Sequence, residues 1–188
     1  MPAATIRPRT GQDLAACVSA LATVQRADRY PVDWPEDPEG WLTPGGMLGA
    51  WVAAEGPAVQ DPAVQEPAVQ EPAVQESPVL GHVMLTRADP ALADAIGAPA
   101  EGLAAVARLF VTTAARRRGL AAGLLGHAAR AAVADGLRPV LEVDSGATAA
   151  IGLYERSGWR FVRAMTADWH TADGRLAVVH AYSGPPGH

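Results

Sequence analysis

Residues Arg108 to Leu125, RLFVTTAARRRGLAAGLL, set an apolar run, three consecutive arginines and a small-residue turn directly before a helical pattern. That order suits anion binding. A helix N-terminus presents unpaired N–H groups and a partial positive charge. Gly119, Ala121 and Ala122 let an anion approach the backbone, and Arg116, Arg117 and Arg118 add charge-assisted hydrogen bonds. Neither common nucleotide loop is written here. A Walker ending needs a lysine, and the chain has none; the G-x-G-x-x-G fingerprint is also missing. Further along, Glu142 and Asp144 alternate with Leu141 and Val143, so the two acids share one face of a strand as candidate proton acceptors. Between Asp28 and Asp37, Tyr30 and Trp34 could stack on a cationic ligand and Asp33 or Asp37 could pair with it. The same segment, with Pro31 and Pro35, also reads as a fixed surface loop. His82 and His180 read as structural strand histidines. No metal is implied: the five histidines have no ligand spacing and Cys17 is the only cysteine, so no internal disulfide forms.

The elements that must position these residues follow from periodicity and breakers. A strand is expected at Thr5 to Arg7 and a helix over Gly11 to Ala27, with Leu14, Val18 and Leu21 on one face and Asp13 near its start. Asp37 to Leu42 reads as a short second helix. Leu48 to Ala54 and Val79 to Thr86 read as a hairpin whose turn has been stretched. Asp89 to Glu101, rich in Ala and Pro, reads as irregular. Val106 to Val111 is a central strand, apolar apart from Arg108. Leu120 to Ala134 is a helix ended by Gly136, Val140 to Asp144 a strand, and Thr148 to Ser157 a helix ended by Gly158. Trp159 to Trp169 and Leu176 to Tyr182 pair across Asp173-Gly174. The order gives a single α/β (α+β) domain over residues 1–188, a mixed sheet with helices on its faces.

The arginine loop resembles the GNAT family of N-acetyltransferases. Its Arg/Gln-x-x-Gly-x-Gly/Ala signature is met by Arg116-Arg117-Arg118-Gly119-Leu120-Ala121. A second stretch, Ala150-Ile151-Gly152-Leu153-Tyr154-Glu155-Arg156-Ser157-Gly158-Trp159, resembles the family's A-x-x-L-Y-E-x-x-G-F segment. The resemblance is close over Val106 to Val162 and rests on element order elsewhere. It implies a mostly antiparallel seven-stranded sheet, splayed between the fourth and fifth strands, Val106–Val111 and Val140–Asp144. It implies acetyl-CoA as acyl donor. Arg116, Arg117, Arg118, Gly119, Leu120, Ala121 and Ala122 would cradle its pyrophosphate, and Leu109, Phe110 and Val111 would pair with its pantetheine arm. Backbone N–H groups near Phe110 and Val111 would polarise the thioester carbonyl. Tyr154 would touch the cofactor and protonate the leaving thiolate. Glu142 or Asp144 would accept the amine proton through water. Tyr30, Asp33 and Trp34 would wall the acceptor site, with Trp169 and His170 as further wall residues. The expected reaction is direct attack by the amine of a small molecule, a cationic one among the candidates, in a ternary complex. Three residues depart from the family pattern: Arg117 and Ala147 stand where Gly and Asn are frequent, and Ala105 where many members have a glutamate base. A silent acyl-CoA sensor and a protein acetyltransferase are the alternatives.

Composition bounds the remainder. Hydrophobic residues make up 49% of the chain but aromatic residues only 5%, so Ala, Val and Leu must fill the core. No run reaches the length of a membrane-spanning helix. Met1 to Arg9 lacks the apolar stretch of a secretory signal, and a cytoplasmic protein is expected. A net charge of −5 argues against nucleic-acid binding. The 15 basic residues are all Arg and Asn is absent, a bias of GC-rich, bacterial coding. Oligomeric state is open, with a homodimer among the possibilities. Pro57-Ala58-Val59-Gln60-Asp61 and three copies of Pro-Ala-Val-Gln-Glu, ending at Glu76, form a low-complexity loop at 56–78. Proline every fifth residue forbids a helix, and no large side chain offsets the entropy of ordering. Loop closure entropy grows slowly with length. Removing Pro57 to Glu76 is therefore expected to leave melting temperature and turnover nearly unchanged; a large loss of either would mean that the repeat packs on the fold.

Overall fold

The computed structural model describes residues 4–55, 78–170 and 174–185, without the side chains of 168–170. The repeat and Asp173 thus lie outside the described residues. The path runs through β1 (Ala4–Pro8), α1 (Leu14–Asp28), α2 (Pro38–Leu42), β2 (Met47–Glu55) and β3 (Val79–Arg87). It continues through α3 (Pro90–Ile96), β4 (Leu103–Val111), α4 (Leu120–Ala134), β5 (Arg138–Asp144), α5 (Thr148–Arg156), β6 (Arg160–His170) and β7 (Leu176–Ser183). The seven strands form one sheet in the order β1-β2-β3-β4-β5-β7-β6, and only the β4–β5 pair is parallel. Helices α4 and α5 pack on one face, with Leu124, Leu125, Ala128 and Tyr154 against Val83, Val106 and Leu141. Helices α1 and α2 cover the other around Cys17, Leu21, Leu42 and Phe110. Helix α3 completes that second face over Ala105, Val140 and Ala181. Among the described residues no helix is long and apolar enough to cross a membrane.

Local chemistry explains most boundaries. Asp13 starts α1: its carboxylate accepts from the Thr10 N–H at 2.7 Å and from both guanidinium nitrogens of Arg7 at 2.8 and 2.6 Å. Arg7 holds the Asp13 carboxyl well below the usual range. Asp37 caps α2 by accepting from Gly40 N–H at 2.9 Å. The segment Asp89 to Glu101 is not irregular. Asp89 accepts from Leu92 N–H at 2.8 Å and Pro90 occupies the first turn, where its missing N–H does no harm; Gly97, at φ +72°, ends the helix. Capping and turn chemistry outweigh the low-complexity look of the segment.

Two departures from regular sheet shape the cleft. Strands β4 and β5 pair only from Leu103–Arg138 to Ala105–Val140, then part. And β4 bulges: His82 faces Phe110 while Met84 faces Ala107, so one extra residue enters between them. Arg108 takes the strain at φ +52°. Its carbonyl accepts from Nδ1–H of His82 at 3.0 Å, and Arg9 donates to His82 Nε2, also at 3.0 Å. This fixes the tautomer of a fully buried imidazole, which stacks on Phe110 with ring centroids 5.3 Å apart. His82, read from sequence as structural, is the clamp on the bulge.

Burial is the main force on His82, lowering its pKa from 6.5 to about 4. Below 6.5 the unfolded chain therefore takes up a proton that the native state refuses, and stability falls as pH drops from 6.5 toward 4. Between pH 7 and pH 5 this one group is expected to remove about 2 kcal/mol. Urea titrations of the parent and of His82→Gln, whose amide can replace both hydrogen bonds, check this. The variant should lack that share of the acid sensitivity; parallel pH profiles would overturn the assignment.

Candidate active site

The turn between β4 and α4 is built by backbone conformation as much as by charge. Thr113–Ala115 make a single 3₁₀ turn, Arg116 is extended, and Arg117 and Gly119 lie at φ +59° and +76°. The two left-handed residues flank Arg118 directly before the free N–H groups of α4, an arrangement that forms anion-binding concavities. A Cβ built at Gly119 would meet no atom within 4 Å, so the space in front of this backbone is open. Two of the three arginines have acidic neighbours from distant parts of the chain. Arg116 pairs with Asp28 at the end of α1, and Arg118 lies 3.6 Å from Glu55 at the end of β2. The Arg116 pair is exposed, and such pairs contribute roughly 0–1 kcal/mol, so a phosphate can compete for the same guanidinium.

Strand β4 supplies Leu109, Phe110 and Val111 alongside the parting of the sheet. Leu109 and Val111 lean on the α4 side and Phe110 on the α1 side. Leu120, Ala121 and Ala122 form the first turn of α4. Tyr154 comes from α5, with its ring between Trp159 and Tyr182 at centroid distances of 6.2 and 6.1 Å. Its hydroxyl makes no hydrogen bond among the described residues. No fully buried side-chain nitrogen or oxygen there lacks a partner, so this oxygen is not sealed from solvent. Burial pushes the phenol up to about 12, which keeps it protonated at neutral pH.

Glu142 and Asp144 are exposed and lie on the β5 face that Val140 turns toward α3. Asp144 is already engaged in the strand-to-helix turn, accepting from Gly146 N–H at 2.7 Å. Ala147 is the N-cap of α5 and offers no side-chain cap. The α1–α2 segment divides. Asp33 and Trp34 are exposed, and Asp37 is the α2 cap. Tyr30 turns inward. It meets the edge of Trp41 at 6.2 Å, and burial drives its phenol upward, with Tyr154 adding to that and Arg108 opposing it. Tyr30, Tyr154 and Arg108 therefore share one electrostatic neighbourhood. The side chains of Trp169 and His170 lie outside the described residues. Sequence reading passed over Arg108 and Trp41: the guanidinium sits 4.3 Å above the Trp41 ring, so this aromatic wall already holds the protein's own cation. The signal was present, as one arginine interrupting an apolar strand. Cys17 is buried, its thiol pushed up to about 12. Among the described residues no group of three or more His, Cys, Asp or Glu is placed to hold a metal.

The split sheet, the cationic turn and the open phenol define an acyltransferase architecture, and solved structures carry the same fold. Arabidopsis thaliana NAA60 bound to a bisubstrate analogue has a TM-score of 0.67 at 17% identity, covering 97% of this chain and 98% of that one. The ribosomal-protein-S18-alanine N-acetyltransferase of Escherichia coli gives 0.64 at 17% identity, over 99% and 96%. An N-acetyltransferase from Staphylococcus aureus Mu50 gives 0.68 at 17%, over 96% and 97%. No curated protein sequence matches the chain. Residues 28–159 match the Acetyltransferase (GNAT) family, and the chain belongs to that family of acetyltransferases.

Strain in the turn is testable apart from catalysis. Arg117→Gly is expected to raise stability by roughly 0.5–1 kcal/mol, because it removes a side chain from positive φ. Gly119→Ala should lower stability by about the same amount even though its Cβ has room. Urea titrations read both; the same sign for the two variants would rule out backbone strain as the cause.

Proposed function

We propose that the chain moves the acetyl group of acetyl-CoA to the amine of a small molecule, by direct attack with both bound at once. The observation that carries this reading is the parting of β4 and β5 beyond Ala105–Val140, flanked by the left-handed arginine turn and by the open Tyr154 hydroxyl. The turn fits a pyrophosphate: its backbone is open at Gly119, it stands at a helix N-terminus, and Arg116 to Arg118 surround it. Leu109 to Val111 would lie along the pantetheine arm. The donor supplies an activated acyl thioester, so the protein has only to position, polarise and manage protons.

The attacking amine forms a bond to the acyl carbon, the carbon–sulfur bond breaks, and one proton leaves the nitrogen. Backbone N–H groups near Phe110 and Val111 would hold the carbonyl oxygen as it gains charge. A phenol with a pKa of about 12 is a weaker acid than a thiol, which ionises near 8.5. Tyr154 therefore acts best by donating a hydrogen bond from its Oη to the departing sulfur, and the amine's own proton balances the reaction. Glu142 or Asp144 would take that proton through water. A cytoplasmic location, where acetyl-CoA is available, suits this reading.

Tyr154→Phe separates this role from packing. Steady-state thiol release at saturating acetyl-CoA should fall by about a hundredfold, the range for losing one acid or hydrogen-bond donor to a developing anion. Affinity for CoA should hardly change, because the lost interaction belongs to the transition state. A variant that keeps more than a third of the parent's rate would return Tyr154 to the core.

A further inference from the structure

The proposed acceptor wall holds a cation where a cation-binding site would need an empty aromatic face. Arg108 leaves the β4 bulge from a left-handed backbone, stacks at 4.3 Å on Trp41 and faces Tyr30. Its neighbours are poor partners for a charge: the Met84 Sδ, which accepts from it at 3.6 Å, and an aromatic ring. No carboxylate of the described residues pairs with it. Nor does one pair with Arg9, which donates instead to the Leu42 carbonyl at 2.7 Å and to His82. Arg9 acts on Arg108 as a like charge, and burial disfavours the charged form of both. A half-buried guanidinium without an anion is costly to keep. Arg108 is only partly covered, and no fully buried side-chain nitrogen there lacks a partner. Its remaining N–H groups are therefore not sealed from solvent.

We propose that Arg108, held over Trp41 beside Tyr30, receives a carboxylate borne by the acceptor, so that the acceptor is an amine of the amino-acid type. This rests on the acetyltransferase reading above and narrows it. The planar guanidinium fork matches a carboxylate in two parallel hydrogen bonds. Stacking on Trp41 and the His82 clamp on the Arg108 carbonyl fix the fork before ligand arrives, which lessens the ordering loss on binding. A dicationic acceptor meets the opposite situation: Arg108 already covers Trp41, and Arg9 adds like charge. Arg108 stands on β4 directly before Leu109 to Val111, the stretch that would lie along the pantetheine arm, which brings an anchored acid near the proposed site of transfer.

The test uses the full chain and thiol release from acetyl-CoA. Each common L-amino acid is assayed beside its α-amide and its decarboxylated amine. For at least one acid, kcat/KM should exceed both analogues by about thirtyfold or more, as expected for an anion paired with a desolvated arginine. Arg108→Gln should erase that preference mainly through KM, and Arg108→Lys should keep part of it. Calorimetry should find CoA affinity of both variants within about twofold of the parent, because uniform acceptor binding alone has been lost. The inference is overturned if amides or plain amines serve as well as acids, if no acid is acetylated by a protein that binds CoA, or if the preference survives Arg108→Gln. The parent's choice among acid, amide and amine needs no variant, so a misfolded Arg108→Gln leaves the question decidable. A parent that fails to bind CoA sinks the acetyltransferase reading itself, a different result from any of these.

Discussion

A single buried imidazole holds the working parts of this protein together. The extra residue in β4 leaves Arg108 at positive φ with a carbonyl turned out of the ladder, and His82 donates to that oxygen while accepting from Arg9. Without such a partner a buried carbonyl would be left unsatisfied, at about 1–3 kcal/mol. The bulge in turn aims Arg108 at Trp41, and the strand departs from β5 within a few residues of it. Cleft, cation and strand direction therefore depend on one side chain, neutral and fixed in tautomer, contributed by the neighbouring strand.

Much of the frame was legible in the sequence because it is local. Leu120 to Ala134 is helical by composition and is ended by a glycine, and the structure places α4 over those residues. The hairpin of β2 and β3 survives a long inserted segment because each strand also pairs on its outer side, with β1 and β4. The family signatures at Arg116–Ala121 and Ala150–Trp159 fall on the elements that the motif reading assigned to them. What sequence did not disclose is non-local or conformational. The partners of Arg116 and Arg118 lie at Asp28 and Glu55, far along the chain. The bulge has no glycine to mark it, and an arginine at positive φ looks like any other. Helix α3 hid in an Ala- and Pro-rich stretch whose capping aspartate and first-turn proline were the readable signs. Asp37 and Asp144, candidates for ligand or proton chemistry, are held by backbone N–H groups nearby.

The acidic residues near the cleft are thus mostly occupied, while Arg9 and Arg108 make no ion pair with a carboxylate among the described residues. Position, more than residue type, separates these fates. Asp37, Asp89 and Asp144 each stand at a chain reversal where a short carboxylate meets a free N–H two or three residues on, and Asp13 reaches three residues back to the Thr10 N–H. Arg9 and Arg108 instead reach across elements into aromatic and carbonyl surroundings. The charge of the cleft is accordingly set by cations, in a chain whose net charge is −5.

The pair between Arg116 and Asp28 ties two regions that are otherwise separate. Asp28 is the last residue of α1, and two positions later the chain reaches Tyr30. Were a donor phosphate to draw Arg116 away, as the proposed function has it, the end of α1 would lose this tie next to Tyr30. Thermodynamic linkage makes that influence mutual: whatever donor occupancy does to acceptor affinity, acceptor occupancy does to donor affinity by the same factor. A pair this exposed contributes no more than about 1 kcal/mol, which limits the coupling through it to roughly fivefold. Under the proposed function this one exposed contact would let the two substrates sense each other weakly, and no more.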